Sequence, residues 1–133
     1  MIEAAVQCLL TGGVIAYPTE HCFGLGCLPD NDVAIKRILT IKNRSENKGL
    51  IIVGGSLTQL KNYINWPLLT TKQQQQVLEP KQATTWLVPA AEHCNPLLKG
   101  RHTLLAIRIP CFKPIIDLCI ATNSALVSTS ANR

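Results

Sequence analysis

Cations stand close together at the end of a predicted helix, where Lys42 and Arg44 are followed by Lys48. A lysine offers a mobile point charge, and an arginine offers a planar fork that can bind two oxygens, so this set could neutralise a phosphate chain. The same cations would also complement the negative end of the helix dipole without any ligand. The residues alone leave both interpretations open.

A hydroxyl-rich segment, Ser128-Thr129-Ser130-Ala131-Asn132, follows the apolar run 125–127. In open α/β sheets, ligands bind beyond the carboxyl ends of strands. Hydroxyl and amide groups at such a place could hold phosphates or an amino acid. The alternative is a capped turn, because serine and asparagine are common turn residues.

A third segment combines polar residues with glycines. Tyr17-Pro18-Thr19-Glu20 ends a predicted strand, and Phe23-Gly24-Leu25-Gly26 comes shortly after it. We interpret this part as a turn whose glycines let a ligand approach the backbone closely. A plain glycine turn without a ligand is the alternative.

Known nucleotide and metal motifs are missing from the chain. It contains neither the phosphate loop G-x-x-x-x-G-K-[ST] nor the dinucleotide pattern G-x-G-x-x-G, so a nucleotide site here would be of another type. The six cysteines form no C-x-x-C pair, and we interpret them as reduced. A zinc site from His21, Cys22, Cys27, His93 and Cys94 is imaginable, but the spacing fits no common zinc pattern, so we predict no metal site.

Helical and strand patterns alternate along the chain, which favours a single α/β domain with a twisted, mixed sheet flanked by helices. Helices are predicted over 2–10, 30–41, 56–63, from residue 70 or 71, and over 114–121; strands are predicted over 14–17, 50–53, 84–88, 103–109 and 125–127. In the fourth of these strands, Leu104, Ala106 and Arg108 should point to one face of the sheet.

Length and composition fit one packed domain over residues 1–133. Hydrophobic residues make up 47% of the chain, and none of its apolar runs is long enough to span a membrane. The first ten residues lack the basic start of a secretory signal, so we expect a cytoplasmic protein. The net charge of +5 favours polyanionic partners such as nucleotides or RNA, or else indicates a basic domain without such a role.

Taken together, these segments resemble the YrdC/TsaC family of threonylcarbamoyl-AMP synthases. The family pattern Y-P-T-E-T-x-Y-G-L-G is matched by YPTEHCFGLG over residues 17–26, and its K-x-R element by Lys42 and Arg44, followed by KGLIIV over 48–53. Its S-x-N element is matched by Ser130 and Asn132, and Arg108 in AIRIP matches an arginine on the preceding strand. Order and spacing agree over nearly the whole chain, so the resemblance implies a YrdC-like fold.

The resemblance implies an ATP-dependent nucleotidyltransferase that joins threonine, bicarbonate and ATP into threonylcarbamoyl-AMP and pyrophosphate, for the modification of tRNA with partner proteins. Magnesium on the phosphates is expected from the chemistry. The implied catalytic set is Lys42, Arg44, Ser130 and Asn132, of which Lys42, Arg44 and Ser130 bind the nucleotide. The implied threonine site consists of Thr19, Arg108 and Ser128.

The chain departs from the family pattern at several places. Ser45 stands where the family usually has proline, and the segments 79–84 and 111–114 replace two other family motifs. The chain also stops just after the S-x-N element, whereas family members continue, so we expect weak or absent synthase activity from the 133-residue form. These departures bear more on threonine specificity than on the fold.

Two other functions compete with the synthase. One is a non-catalytic RNA-binding module of the kind that acts in ribosome maturation, whose contact set would be the cations Lys36, Arg37, Lys42, Arg44, Lys48, Lys99 and Arg101. The other is the related site of hydrogenase-maturation proteins, although their zinc-finger and acylphosphatase segments do not appear here. Hydroxyl and amide groups opposite the basic pair favour the synthase, because RNA binding alone does not require them.

Overall fold

The computed structural model describes residues 2–18, 23–79, 84–110 and 112–130. Within them, six strands form one mixed sheet in the order β1-β2-β6-β3-β5-β4, where β3 and β5 run parallel and the other neighbours run antiparallel. The strands are β1 Ile15–Pro18, β2 Phe23–Cys27, β3 Ile51–Val53, β4 Thr85–Pro89, β5 Leu104–Arg108 and β6 Leu126–Ser130. The predicted mixed α/β sheet is confirmed.

Helices flank this sheet. They are α1 Ile2–Leu10, α2 Asp32–Lys42, α3 Leu57–Leu60, α4 Thr71–Leu78, α5 Pro96–Lys99 and α6 Lys113–Thr122, with 3₁₀ turns at Glu46–Lys48, Lys61–Tyr63 and Trp66–Leu68. The helix starts follow the capping rules, since the side chain of Asn31 accepts from the amide of Ala34 and Thr70 forms a capping box with Gln73. In the part of the chain described, no helix is long and apolar enough to cross a bilayer.

Side chains alternate along each strand, so the two faces of the sheet carry different residues and pack against different helices. One face carries Ile52, Ile107 and Val127, which pack with Ile35 and Ile38 of α2 in the larger hydrophobic core. The opposite face carries Tyr17, Leu126 and Val53, which pack against α1 and α6 in a smaller core. We call this second face the cleft face, because its helices cover only part of it.

Two sequence interpretations are wrong at the level of secondary structure. Phe23–Gly26 is not a turn: it belongs to β2, which pairs with β1 on one side and β6 on the other. Ser128, Thr129 and Ser130 do not follow a strand but form the second half of β6. Both segments are therefore fixed in the sheet, and their side chains alternate between its two faces. The short helix α5 was not predicted at all.

Candidate active site

The cleft face is lined by a row of residues that pair across the strands. The register joins Gly26 to Ser128, Ser128 to Ile51, Ile51 to Ala106 and Ala106 to Leu87, so all five point to the same side. Ile51, Ala106 and Leu87 also line a cavity of about 330 Å³ on this face. Ser128, which is half-buried, therefore stands next to the floor of that cavity.

The cavity has an apolar floor and a basic rim. Leu98 and Leu104 complete the floor with the residues just named, while the charged or titratable side chains on the rim are those of Arg44, Lys48, Lys99 and His102. Within the described ranges, no acidic residue lines it. A cavity with a flat apolar floor and cations at its mouth suits an anionic ligand with an aromatic or aliphatic part.

Arg44 reaches this rim because α2 ends in a sharp turn. Asn43 adopts the left-handed conformation with φ 51°, and its amide and that of Arg44 turn back to the carbonyls of Thr40 and Leu39. Asparagine tolerates this conformation better than most residues. The turn redirects the chain after Lys42, and Arg44 then donates from Nε to the carbonyl oxygen of Gly49 at 3.1 Å.

The two cations of the K-x-R element are therefore placed differently. Arg44 lines the cavity, whereas Lys42 is the last residue of α2, is half-buried and is not among the described residues that line it. Ser45 occupies the position of the family's proline and caps the following 3₁₀ turn by accepting from the amide of Asn47 at 3.1 Å. The serine thus stabilises this turn by a side-chain hydrogen bond, where a proline would restrict the backbone.

A second turn holds the Arg44 segment from the other side. The amide of Leu50 donates to Leu98 at 2.8 Å, and the amide of Arg101 donates to Asn47 at 2.9 Å. This contact is close enough that a Cβ on Gly100 would lie 2.5 Å from the amide nitrogen of Gly49 and would also meet the carbonyl of Asn47. The backbone of α5 and its turn therefore support the position of Arg44.

Replacing Gly100 by alanine is expected to lower the free energy of unfolding by about 2 kcal/mol, because Gly100 has φ +64° and no room for a Cβ. Urea denaturation measures this change. Gly55→Ala is the matched control, since Gly55 lacks a positive φ and its nearest Cβ contact is the side-chain Oε1 of Gln59 at 3.1 Å. Equal losses in both variants would contradict a backbone clash at Gly100.

Ser130 lies at the same end of the sheet as Arg44. The antiparallel register of β3 and β6 pairs Ile51 with Ser128, so β6 continues to Ser130 toward the end of the sheet at which β3 begins. Gly49, which precedes β3, is the residue that Arg44 contacts, so the basic and the hydroxyl segments lie toward the same end of these two strands. A shared site of Arg44 and Ser130 stays a prediction.

Arg108 ends β5 on the cleft face, level with Val53, Leu126 and Thr85. Its Nε is buried and has no hydrogen-bond partner among the described residues. A buried donor without an acceptor costs about 1–3 kcal/mol. An anionic ligand that accepted a hydrogen bond from this Nε would remove that cost and bind more tightly. The alternation predicted for β5 is confirmed, since Leu104, Ala106 and Arg108 share this face.

Thr19 and Asn132, the remaining predicted site residues, lie outside the described residues, as do His21 and Cys22. Three residues near the cavity were not predicted to belong to the site.

Tyr17 donates a hydrogen bond to Oγ of Ser128, and His102 and Lys99 lie on the cavity rim. A lone histidine such as His102 carries no sequence signal, whereas Tyr17 lies inside the YPTE segment. Of the described cysteines, Cys27, Cys94 and Cys119 are buried free thiols, and burial raises the pKa of each.

Comparison with known proteins identifies the family. The family model Sua5/YciO/YrdC, described as telomere recombination, matches residues 7–133. The threonylcarbamoyl-AMP synthase of Methylobacillus flagellatus is 48% identical over 124 residues, which are 93% of this chain and 68% of that protein. The enzyme of the same name from Stenotrophomonas maltophilia is 40% identical over 132 residues, which are 98% of this chain and 71% of that protein.

A solved structure shows the same fold. The crystal structure of P. abyssi Sua5 complexed with L-threonine superposes with a TM-score of 0.86 at 25% identity, over 98% of this chain and 38% of that one. The predicted family, fold class and synthase function are confirmed by these relatives, and nothing in them favours the RNA-binding alternative. The chain therefore belongs to the Sua5/YciO/YrdC family, among its threonylcarbamoyl-AMP synthases.

Proposed function

We propose that the cleft face binds ATP and threonine and joins them, with bicarbonate, into threonylcarbamoyl-AMP. The observation that carries this proposal is that three groups lie on one face: the basic rim at Arg44, the hydroxyl of Ser128 beside the cavity floor, and the buried Nε of Arg108, which has no partner among the residues that the structure describes. The product itself contains AMP and a threonyl group, so ATP and threonine are its natural sources.

The reaction asks for little covalent chemistry from the protein. Bicarbonate loses hydroxide to give carbon dioxide, the neutral amine of threonine forms a bond to its carbon, and the proton that the amine releases combines with the hydroxide, so that a carbamate and one water result. A carbamate oxygen then attacks the α-phosphorus of ATP, the bond to the β-phosphate oxygen breaks, and pyrophosphate leaves. Positioning and neutralisation of charge therefore account for most of the rate, as in other phosphoryl transfers.

In this proposal the two ends of the cleft face have different roles. Lys42, Arg44, Ser130 and Asn132 form the catalytic set: the first three bind the triphosphate, and the amide of Asn132 completes the clamp. The support for Arg44 is its position on the cavity rim, where its Nε lies 3.1 Å from the carbonyl oxygen of Gly49, with Ser130 toward the same end of the sheet. The apolar floor of the cavity is suited to the uncharged part of the nucleotide.

Threonine would occupy the part of the cleft face near Arg108. The planar guanidinium is a partner for the threonine carboxylate, because a charged bidentate pair would satisfy its buried donor. Ser128 would accept or donate one further hydrogen bond, and Thr19 would complete the subsite. The three side chains of this threonine site come from segments far apart in sequence.

Magnesium would enter as the counterion of the triphosphate. The described residues contain no group of three or more His, Cys, Asp or Glu side chains that could hold a metal, so we assign it no protein ligand. Transfer of the threonylcarbamoyl group to tRNA in the cytoplasm, together with other modification proteins, would follow as a separate step. The net charge of +5 is compatible with an RNA partner.

Release of pyrophosphate tests this function. The purified chain is incubated with ATP and magnesium, with and without threonine and bicarbonate, and serine replaces threonine in a matched reaction. Release that requires both threonine and bicarbonate is expected, and calorimetric titration measures threonine binding in parallel. Release that is independent of threonine, or the absence of both release and threonine binding, would overturn the proposal.

A further inference from the structure

The hydroxyl of Tyr17 donates a hydrogen bond to Oγ of Ser128, although the two residues are far apart in sequence and lie on non-neighbouring strands. Tyr17 is on β1 and Ser128 on β6, with β2 between them. The tyrosine is only 3% exposed, whereas Ser128 is half-buried at the edge of the cavity floor. The buried phenol therefore reaches Ser128 across β2 on the cleft face, where the serine borders the cavity floor.

Gly26 makes this reach possible. It pairs with Ser128 on β2, so its missing side chain would stand between Tyr17 and β6 on the cleft face. A Cβ on Gly26 would lie 2.7 Å from Cε1 of Tyr17 and 2.9 Å from the carbonyl oxygen of Val127. The ring thus crosses β2 over a residue that can only be glycine, which gives the second glycine of Phe23-Gly24-Leu25-Gly26 a physical purpose.

The surroundings of the phenol keep it protonated, as the donor of this hydrogen bond must be. Burial raises the pKa of Tyr17 to about 12, although the hydrogen bond to Ser128 and the charge of Arg108 act to lower it. Near neutral pH the phenol keeps its proton and donates it to the oxygen of Ser128. The serine proton then remains available for an acceptor on the cleft side, because a hydroxyl donates one hydrogen bond while accepting others.

We propose that Tyr17 is a positioning residue for threonine: its hydroxyl fixes the rotamer of Ser128 so that Ser128 donates a hydrogen bond to the bound amino acid. The inference rests on the proposed function, in which Ser128 belongs to the threonine site. Arg108, whose charge is felt at Tyr17, would hold the carboxylate of the same ligand. A tyrosine that merely tied β1 to β6 would instead affect stability and leave the preference between substrates unchanged.

Tyr17→Phe removes the hydroxyl and keeps the buried ring. We expect the KM for threonine to rise about five- to tenfold, the effect of losing one hydrogen bond, while the KM for ATP stays within about twofold. Steady-state pyrophosphate release with each substrate varied in turn measures both constants. Thermal unfolding of the same samples shows whether the variant is folded.

Tyr63→Phe is the matched control, because Tyr63 is the only other tyrosine of the chain and its hydroxyl contacts Asp30, away from the cleft. It should leave both KM values unchanged. Ser128→Ala removes the acceptor instead of the donor. If Tyr17 acts through Ser128, then Tyr17→Phe will have less than about twofold further effect in the Ser128→Ala background.

The outcomes distinguish the role of Tyr17 from the proposed function of the cleft face. Unchanged threonine KM in Tyr17→Phe, equal rises for ATP and threonine, or additive effects of the two substitutions would each overturn the role of Tyr17 alone. Failure of the unsubstituted chain to respond to threonine would overturn the proposed function, and this inference with it, before any variant is made. A selective, non-additive rise in threonine KM supports the role.

Discussion

Replacing Arg44 by alanine is expected to lower kcat/KM for ATP about a hundredfold, because removal of one charged donor from a preorganised phosphate site typically costs that much. Arg44 is held on the cavity rim by its bond to Gly49 and by the turn at Asn43. Its fork is therefore oriented before the nucleotide arrives. Pyrophosphate release at varied ATP concentration measures the loss.

Two further variants separate orientation from charge. Arg44→Lys keeps the charge but loses the planar fork and the Nε bond to Gly49, so an intermediate loss of about tenfold is expected. Arg37→Ala removes an equally charged, exposed side chain from α2 and should change kcat/KM less than twofold. Equal losses in Arg37→Ala and Arg44→Ala would mean that only the general positive potential matters. In that case the losses would also vanish at high salt.

Local patterns were sufficient to predict most elements of the fold. The helix α1 was predicted over its full length, and the cap of α2 was predicted within the 30–32 segment, where Asn31 fills the role. The alternation in β5 also gave the correct faces, because a half-buried strand must alternate. These signals depend only on residues that are neighbours in sequence.

The strand β2 could not be predicted in the same way. Glycine weakens strand propensity, so Phe23-Gly24-Leu25-Gly26 favours a turn when only local preference is considered. It forms a strand because it pairs with β1 on one side and β6 on the other. A glycine is required at position 26 because the ring of Tyr17 packs where a Cβ would lie. Both features depend on β6, which lies about a hundred residues away in sequence and carries Ser128, the partner of Tyr17.

The site could be predicted only in part, again because some contacts that build it join segments far apart in sequence. The K-x-R spacing and the family resemblance drew attention to Arg44, but its place on the cavity rim depends on contacts with the turn after α5, an element that no pattern predicted. The same pattern could not tell that Lys42 would remain on the helix, away from the described lining of the cavity. Residue type predicts the chemistry, whereas backbone contacts between segments far apart in sequence determine which of the two cations lies on the cavity rim.

Replacing Arg108 by methionine is expected to lower threonine-dependent pyrophosphate release about a hundredfold and to leave the thermal unfolding midpoint unchanged or higher. The two effects have opposite signs because Nε of Arg108 is buried and has no hydrogen-bond partner in the described part of the chain. An unpaired buried donor is unfavourable to the unliganded protein, and methionine fills similar space without one. Calorimetric titration with threonine and thermal unfolding measure the two effects.

The stability measurement distinguishes a ligand-binding arginine from a structural one. A structural arginine leaves its partners unsatisfied when it is removed, so its loss lowers stability together with activity. Arg101→Met is the matched control: it removes an exposed arginine that is not among the described residues lining the cavity, and it should alter neither threonine binding nor the unfolding midpoint. If Arg108→Met unfolds well below the unsubstituted chain and still binds threonine, the guanidinium supports the sheet and the threonine carboxylate must be bound elsewhere.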